Sequence, residues 1–220
     1  MYIDKKEVLR YMGYRGQEMD KALLELLDSC IEEVQTVSRK DYIYEVFDIE
    51  RSGSELCLKG TALSLPGKDI ARHLSKSDKC VVMAATLGLE TDRRIALYSR
   101  TDLTRGIVFD ASAGVAIESL CDEVQEEVAA KARTMGLEIT QRFSPGYGDL
   151  PIDIQGDLTR VLKAYERIGL GVNENSVMIP RKSVTALIGM QKEGCASKEH
   201  KCTNCDNKNC LYRKDEDNGE

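Results

Sequence analysis

A chain of 220 residues with 42% hydrophobic and 31% charged residues can form one sizeable globular core. Its formal net charge of −6 argues against nucleic acid or an anionic membrane as the main partner, because both attract basic surfaces. The start of the chain lacks a signal-peptide pattern, and no apolar run approaches the roughly 20 residues that span a bilayer. We therefore expect a cytoplasmic protein whose eight cysteines are reduced thiols or metal ligands.

Apolar periodicity predicts helices and strands along the first hundred residues. In chain order these are a helix capped by Asp4 (Lys5–Met12), an amphipathic helix (Gln17–Ser38), two strands (Tyr42–Ile49 and Glu55–Leu58), a helix with Pro66 in its first turn that reaches His73 or Leu74, a strand (Lys79–Leu87) and a helix (Glu90–Ser99). Because Lys79–Leu87 is a continuous apolar run, we expect a central strand that is buried on both faces.

The second half begins with the longest helical pattern and ends in strands. Its predicted elements are a helix (Thr104–Thr134), a strand (Leu137–Phe143), a helix capped by Asp153 or Asp157 that ends at Ile168, and two strands separated at Pro180 (Ser176–Ile179 and Ser183–Ile188). Together these elements predict an α+β domain over residues 1–190, with a mixed or antiparallel sheet flanked by long helices.

The composition changes near Met190, and residues 191–220 contain almost no aliphatic side chains. Four cysteines in this segment have the spacing C-x6-C-x2-C-x4-C, namely Cys195, Cys202, Cys205 and Cys210. Four thiolates on one ion would give such a segment a reason to fold, and both zinc and an iron–sulfur cluster accept four thiolates. The alternative is a set of spare thiols, and His200 is a further possible ligand. The other cysteines, Cys30, Cys57, Cys80 and Cys121, lie in apolar patterns and are expected to be structural thiols.

The segment from Arg142 to Pro151 holds two prolines and two glycines in ten residues. Pro145 restricts Ser144 to extended geometry, and Gly146 allows close backbone approach. An arginine and a tyrosine at the rim of such a rigid loop are suited to a carboxylate and a flat ring. From the spacing alone, a tight surface turn with an ordinary arginine is the favoured interpretation.

Three blocks of the chain resemble the activation domain of cobalamin-dependent methionine synthase. Arg142-Phe-Ser-Pro-Gly-Tyr147 is similar to the Arg-x-x-Pro-Gly-Tyr signature of that family. Glu118-Ser-Leu-Cys-Asp122 lies upstream on a long helix, and Asn175–Thr185 resembles the family's Ser-x-x-Met-x-Pro-x-x-Ser-Val-Ser segment. The resemblance covers residues 105–189.

The resemblance implies a domain that binds S-adenosylmethionine and offers its methyl group to the cobalt of an oxidised cobalamin after one-electron reduction. Arg142 would pair with the ligand carboxylate, Glu118 would neutralise the α-amino group, and Tyr147 would line the pocket. Backbone groups of Ser144, Pro145 and Gly146 would contact the ligand. The protein itself would contribute positioning, so no catalytic acid or base is expected.

In that family the domain adjoins the cobalamin domain and continues beyond the position of Gly189, where this chain has the cysteine-rich segment instead. We therefore expect a stand-alone reactivation subunit in methionine biosynthesis, acting in trans on methionine synthase or another corrinoid protein, with flavodoxin or ferredoxin as possible electron donor. The alternative function is an iron–sulfur or zinc redox or adaptor module that docks on a corrinoid protein without binding S-adenosylmethionine.

Overall fold

The computed structural model describes residues 1–52, 55–192 and 194. The helices are α1 (Lys5–Tyr11), α2 (Lys21–Val37), α3 (Lys68–His73), α4 (Leu89–Thr101), α5 (Leu103–Thr134), α6 (Gln155–Val161) and α7 (Ala164–Ile168). The strands are β1 (Asp41–Ser52), β2 (Glu55–Leu58), β3 (Ser77–Thr86), β4 (Leu137–Ile139), β5 (Gly171–Val172), β6 (Met178–Ile179) and β7 (Ser183–Lys192). This arrangement confirms the predicted α+β class.

Five strands form one sheet in the order β2-β1-β3-β7-β4, and each neighbouring pair is antiparallel. Of the two predicted sheet types, the antiparallel one is therefore the correct description. β3 lies in the middle, and its residues from Cys80 to Ala85 are fully buried, as the continuous apolar run predicted. β5 and β6 form a separate two-stranded ribbon.

Helices cover both faces of the sheet, which explains why β3 needs apolar side chains in both directions. The alternate residues Val81, Met83 and Ala85 pack with α1, α2 and α5, while Cys80, Val82 and Ala84 pack with α3, α6 and α7. Strict alternation along a strand sends neighbouring side chains to opposite faces. The sheet thus divides the interior into two apolar cores.

α5 is the longest helix, as predicted, and it lies against the sheet and two other helices. Its buried residues recur at helical spacing and include Val108, Val115, Leu120, Val124 and Val128. The helix begins at Asp102, whose carboxylate accepts a hydrogen bond from the Arg105 backbone N–H at 3.0 Å. Because α5 is 32 residues long, it packs against α4 and also against β4.

Three predictions about local structure were wrong. β4 has three residues instead of the seven predicted over Leu137–Phe143. The predicted helix Asp157–Ile168 is interrupted at Lys163, whose left-handed φ of 52° separates α6 from α7. Neither Asp153 nor Asp157 caps a helix, because a 3-10 turn over Ile152–Ile154 leads directly into α6.

The carboxyl-terminal strand extends beyond the predicted boundary at residue 190. Gln191 pairs with Ser77 and Glu138 and is buried, so the folded part of the described chain includes Lys192. The prediction that Pro66 lies in the first turn of α3 was also wrong: the helix begins at Lys68, and Gly67 occupies the cap position between them. Among the described residues, no helix combines the length and the apolarity needed to cross a bilayer.

Candidate functional site

Arg142 lies in a bulge at the edge of the sheet. Thr140 donates its backbone N–H to Gly189, and Phe143 exchanges both backbone hydrogen bonds with Leu187. Phe143 follows Thr140 by three residues, but Leu187 precedes Gly189 by only two. The segment from Thr140 to Phe143 therefore contains one extra residue between the two bonded pairs, which is a β-bulge. Phe143 packs into the core beneath the sheet, and the neighbouring Arg142 is turned toward α5 on the opposite side.

The Arg142 guanidinium is held by side chains of α5. Nη1 lies 2.8 Å from Asp122 Oδ1 and donates to Gln125 Oε1 at 3.2 Å, while Nη2 donates to Glu118 Oε2 at 3.2 Å. Burial lowers the pKa of Arg142, but the hydrogen bond to Asp122 and the negative charge of Glu118 outweigh it, so the pKa is raised above its ordinary value. The cation is permanent, and its direction is fixed by α5.

The loop after Arg142 is closed by its own backbone. Gly146 donates to the Leu150 carbonyl at 2.9 Å, and Tyr147 donates to the Ser144 carbonyl at 3.1 Å. Pro145 is buried and Gly146 has a φ of 86°, so these two residues shape the turn. The loop is therefore an ordered platform beside Arg142.

A second contact ties this loop to α3. The Asp149 carboxylate accepts hydrogen bonds from the backbone N–H groups of Lys68, at 2.7 Å, and Asp69, at 2.9 Å. These bonds to Asp69 and Lys68 lower the pKa of Asp149. Because α3 has no capping side chain of its own at Gly67, the loop provides the missing cap from 80 residues away.

A cavity of about 210 Å³ lies between α5, the loop and the start of β7. Its lining consists of Glu118, Arg142, Ser144, Tyr147, Met178, Ser183, Val184 and Thr185. Four of the six residues predicted to bind a ligand thus line one cavity. The other two, Pro145 and Gly146, belong to the supporting turn.

Tyr147 forms an aromatic wall of this cavity. Its ring packs edge-on against Phe143 with the ring centroids 5.9 Å apart, and Phe143 in turn contacts the His73 ring at 5.1 Å. Burial and the nearby Glu118 carboxylate raise the pKa of Tyr147, so its hydroxyl stays protonated at neutral pH. The cavity therefore combines an aromatic surface, one cation and one carboxylate, which suits a ligand with both apolar and charged parts.

Four lining residues were not predicted as site residues: Met178, Ser183, Val184 and Thr185. All four lie in the Asn175–Thr185 segment, which resembles a family motif. Ser183 and Thr185 could have been identified from the sequence, because they are polar residues in an otherwise apolar strand. Ser183 donates to the Pro180 carbonyl at 2.7 Å and lies 2.8 Å from Thr86 Oγ1, so its hydroxyl fixes the turn into β7. Thr185 is 2% exposed, and its hydroxyl has no hydrogen-bond partner among the described residues.

The predicted metal ligands Cys195, Cys202, Cys205 and Cys210 lie outside the described residues. Within the described ranges, no group of three or more metal-binding side chains comes together. The other cysteines fit their predicted structural role: Cys30, Cys80 and Cys121 are buried, and Cys57 is half-buried. Burial raises the pKa of Cys30 to about 11 and those of Cys80 and Cys121 to about 12, so these thiols are protonated and unreactive.

A larger cavity, of about 750 Å³, lies between α6, α7 and the β5–β6 ribbon. Its lining mixes Asp153, Glu166 and Glu174 with Arg160, and it contains none of the predicted site residues. Size alone would favour a third cavity, of about 890 Å³, which lies beside α3 and is lined by Arg51, Pro66 and Asp149 among others. The cavity beside Arg142 is the better candidate because a cation, a carboxylate and an aromatic ring line it together.

The antiparallel sheet with long helices on one face and the Pro-Gly loop at its edge define an α+β domain with the fold of a methionine synthase reactivation domain. The crystal structure of the MetH reactivation domain bound to AdoHcy matches this chain with a TM-score of 0.66. The match covers 90% of this chain and 76% of that one at 15% sequence identity. No family model and no curated protein matches the sequence. The predicted resemblance is thus confirmed for the fold.

Proposed function

We propose that this chain binds S-adenosylmethionine in the cavity beside Arg142 and supports the reductive methylation of a cobalamin held by a separate protein. The partner would be methionine synthase or a related corrinoid methyltransferase. The observation that carries the proposal is the convergence of Glu118, Arg142, Ser144 and Tyr147 on one cavity in a domain with the reactivation fold. The match to a domain that was crystallised with AdoHcy supports the same ligand class.

The charges around Arg142 favour a ligand that carries positive charge. Arg142 is paired with both Glu118 and Asp122, so the three groups have a formal net charge of −1. A ligand with only negative charge would compete with two carboxylates for one guanidinium. S-adenosylmethionine offers a carboxylate to Arg142, and its ammonium and sulfonium groups are attracted by the carboxylates.

The contribution of this chain to methyl transfer is positional. The sulfonium is already a good leaving group, and the cavity opens at the protein surface, since Tyr147 is 47% exposed. A ligand anchored by its amino-acid end at Arg142 can present its methyl group to a partner that covers the opening. Holding the two reactants together replaces a bimolecular encounter, which is the main advantage that such a domain can supply.

Calorimetric titration with S-adenosylmethionine tests the binding step. The wild-type chain should bind, and Arg142→Ala should lose about 1.5–3 kcal/mol of binding free energy, the scale of a charge-assisted hydrogen bond. Arg93→Ala is the matched control, because this exposed arginine of α4 pairs only with the adjacent Glu90 in the described chain. Equal affinity of wild type and Arg142→Ala would remove Arg142 from the site.

A reactivation assay tests the action in trans. The chain is mixed with a methionine synthase that lacks its own activation domain and whose cobalt has been oxidised, together with a reductant. Turnover should return only when both S-adenosylmethionine and this chain are present. Flavodoxin and ferredoxin can be compared as reductants. The proposal would be contradicted if turnover recovers equally well with and without this chain for every corrinoid partner tested from the same cell.

For residues 191–220 we propose a single four-thiolate site formed by Cys195, Cys202, Cys205 and Cys210. The support is their spacing in a segment with almost no aliphatic residues. Visible absorption of anaerobically purified protein distinguishes an iron–sulfur cluster from zinc, because zinc thiolates do not absorb visible light.

A further inference from the structure

The cavity beside α3 (the α3 cavity) is separate from the candidate site. Its volume of about 890 Å³ falls within the roughly 300–1,000 Å³ of pockets that enclose a whole drug-sized ligand. Residues of β1, β2, α3 and the loop after Arg142 contribute to its walls. It shares no lining residue with the cavities of about 210 and 750 Å³. The fold therefore has room for a second ligand, away from Arg142.

Arg51 lines the α3 cavity with a guanidinium that is held in place by neutral groups. Its Nη2 donates hydrogen bonds to the backbone carbonyls of Leu74, at 2.8 Å, and Ser77, at 2.6 Å. Its Nε and Nη1 have no hydrogen-bond partner among the described residues. Because carbonyls orient a cation without cancelling its charge, Arg51 is an ordered positive group with donors left for a ligand.

Lys68 is the second cation of the lining, and Asp149 is its one carboxylate. Lys68 forms no ion pair within the described part of the chain, whereas Asp149 accepts the backbone N–H groups of Lys68, at 2.7 Å, and Asp69, at 2.9 Å. Two cations and one carboxylate give the lining a formal charge of +1, while the whole chain carries −6. The α3 cavity is thus a local positive site on an acidic protein, which attracts an anion.

The rest of the lining is mainly apolar. Leu56 and Leu65 are 3% and 2% exposed and form the floor of the cavity together with Pro66 and Ala71. An apolar floor beside two cations suits a molecule with an apolar body and an anionic end. The charge of +1 matches one negative charge, as on a carboxylate. A phosphate monoester, with a charge of about −1.5 to −2, would leave excess negative charge beside Asp149.

We propose that the α3 cavity is a second binding site, and that its ligand is a small organic carboxylate with an apolar body. Arg51 and Lys68 bind the carboxylate, and the apolar body lies over Leu65 and Pro66. The site is independent of the cavity beside Arg142 and of the ligand proposed for it. The chain therefore has two ligand sites of different chemistry: one for a ligand with an amino-acid end and one for a simple carboxylate.

Calorimetric titration with 1-naphthoate tests the proposal. The wild-type chain should bind it with a dissociation constant of about 1 mM or lower, which is the scale for a ligand of this size. Arg51→Gln should weaken binding about tenfold, and Lys68→Gln about three- to fivefold because Lys68 is exposed. Lys68→Gln keeps the backbone N–H that Asp149 binds, so it tests the site even if Arg51→Gln does not fold. Lys40→Gln is the matched control, because this exposed lysine lies outside the cavity and should leave the affinity unchanged.

Probes that differ in one group test the ligand class on the wild-type chain. The uncharged 1-naphthamide should bind at least about tenfold more weakly than 1-naphthoate, and 1-naphthyl phosphate should also bind more weakly. Arg142→Ala should bind 1-naphthoate as wild type does, because Arg142 lies outside the α3 cavity. The proposal is overturned if wild type does not bind 1-naphthoate, if Lys68→Gln binds it as tightly as wild type, if Arg142→Ala loses it, or if the amide or the phosphate binds as well. None of these results bears on S-adenosylmethionine, whose binding is measured separately.

Discussion

Asp69 and Asp149 each bind the backbone of the other. The Asp149 carboxylate accepts the N–H of Asp69 at 2.9 Å, and the Asp69 carboxylate accepts the N–H of Asp149 at 3.3 Å. This reciprocal pair resembles a capping box, except that its two halves are 80 residues apart in the sequence. It fixes the end of the Arg142 loop to α3, so the shape of the candidate site depends on a helix that does not line it.

Asp149→Asn should lower the melting temperature by about 2–4 °C, because the cap of α3 loses its charge. The pKa of Asp149 is lowered in the folded protein, so its stabilising contribution is present above the ordinary value of 3.8 and is lost as the pH falls through the folded-state pKa. Thermal unfolding of both proteins between pH 7 and pH 3 checks this. The difference between them should shrink at the acidic end; a difference that stays constant would contradict the assigned cause.

Gly148→Ala should disrupt the same contact sterically. Gly148 has a φ of 52°, and an added Cβ would lie 2.9 Å from Asp69 Cβ. Gly136→Ala is the control: its φ of 68° is similar, but no atom lies within 4 Å of the added Cβ. Chemical denaturation should show a loss of roughly 1–2 kcal/mol for the control, from the left-handed backbone alone, and a larger loss for Gly148→Ala. Equal losses would show that Asp69 does not restrict this position.

Asp122→Asn should change which ligand the site prefers. Asp122 contributes one of the two carboxylates around Arg142, and without it the formal charge of the group rises from −1 to zero. The preference for S-adenosylmethionine over the uncharged-sulfur S-adenosylhomocysteine should then fall by a factor of about 2–5, because the pair is partly exposed to solvent. Titrations at low salt measure this ratio most clearly. Glu126→Gln, on the exposed side of α5, should leave the ratio unchanged.

The thiols of the described chain should differ in reactivity. In a chain that ends at Gly194, Cys57 is half-buried, while Cys30, Cys80 and Cys121 are buried and have raised pKa values. A thiol reagent at pH 8 should therefore modify one cysteine rapidly and the other three only after denaturation. Rapid reaction of two or more thiols in the folded protein would contradict the structural role that we assign to them.

Removal of residues 195–220 should abolish metal binding without unfolding the domain. The cut must follow Gly194, since Gln191 is buried and paired in β7. Metal analysis should find one zinc ion or one cluster in the full chain and none in the shortened one, while both retain a cooperative melting transition. Stoichiometric metal in the shortened chain would show that the four cysteines are not the ligands.

The sequence by itself determined the elements whose signals are local. The apolar run from Cys80 to Thr86 could only be a strand covered on both faces, and the helical spacing from Val108 to Val128 required a long helix against a core. The Arg142–Tyr147 motif likewise identified the loop and three residues of the cavity lining, namely Arg142, Ser144 and Tyr147. Each of these features depends on residues that are close to one another in the sequence.

Only the tertiary structure decided the features that depend on distant partners. β4 is short because Thr140 and Phe143 follow β7 across a bulge, which no local pattern shows. Asp149 caps α3 because folding brings residues 80 positions apart into contact. Hydrogen bonds across such separations are set by how the sheet and helices pack, and that packing leaves no periodic trace in the sequence.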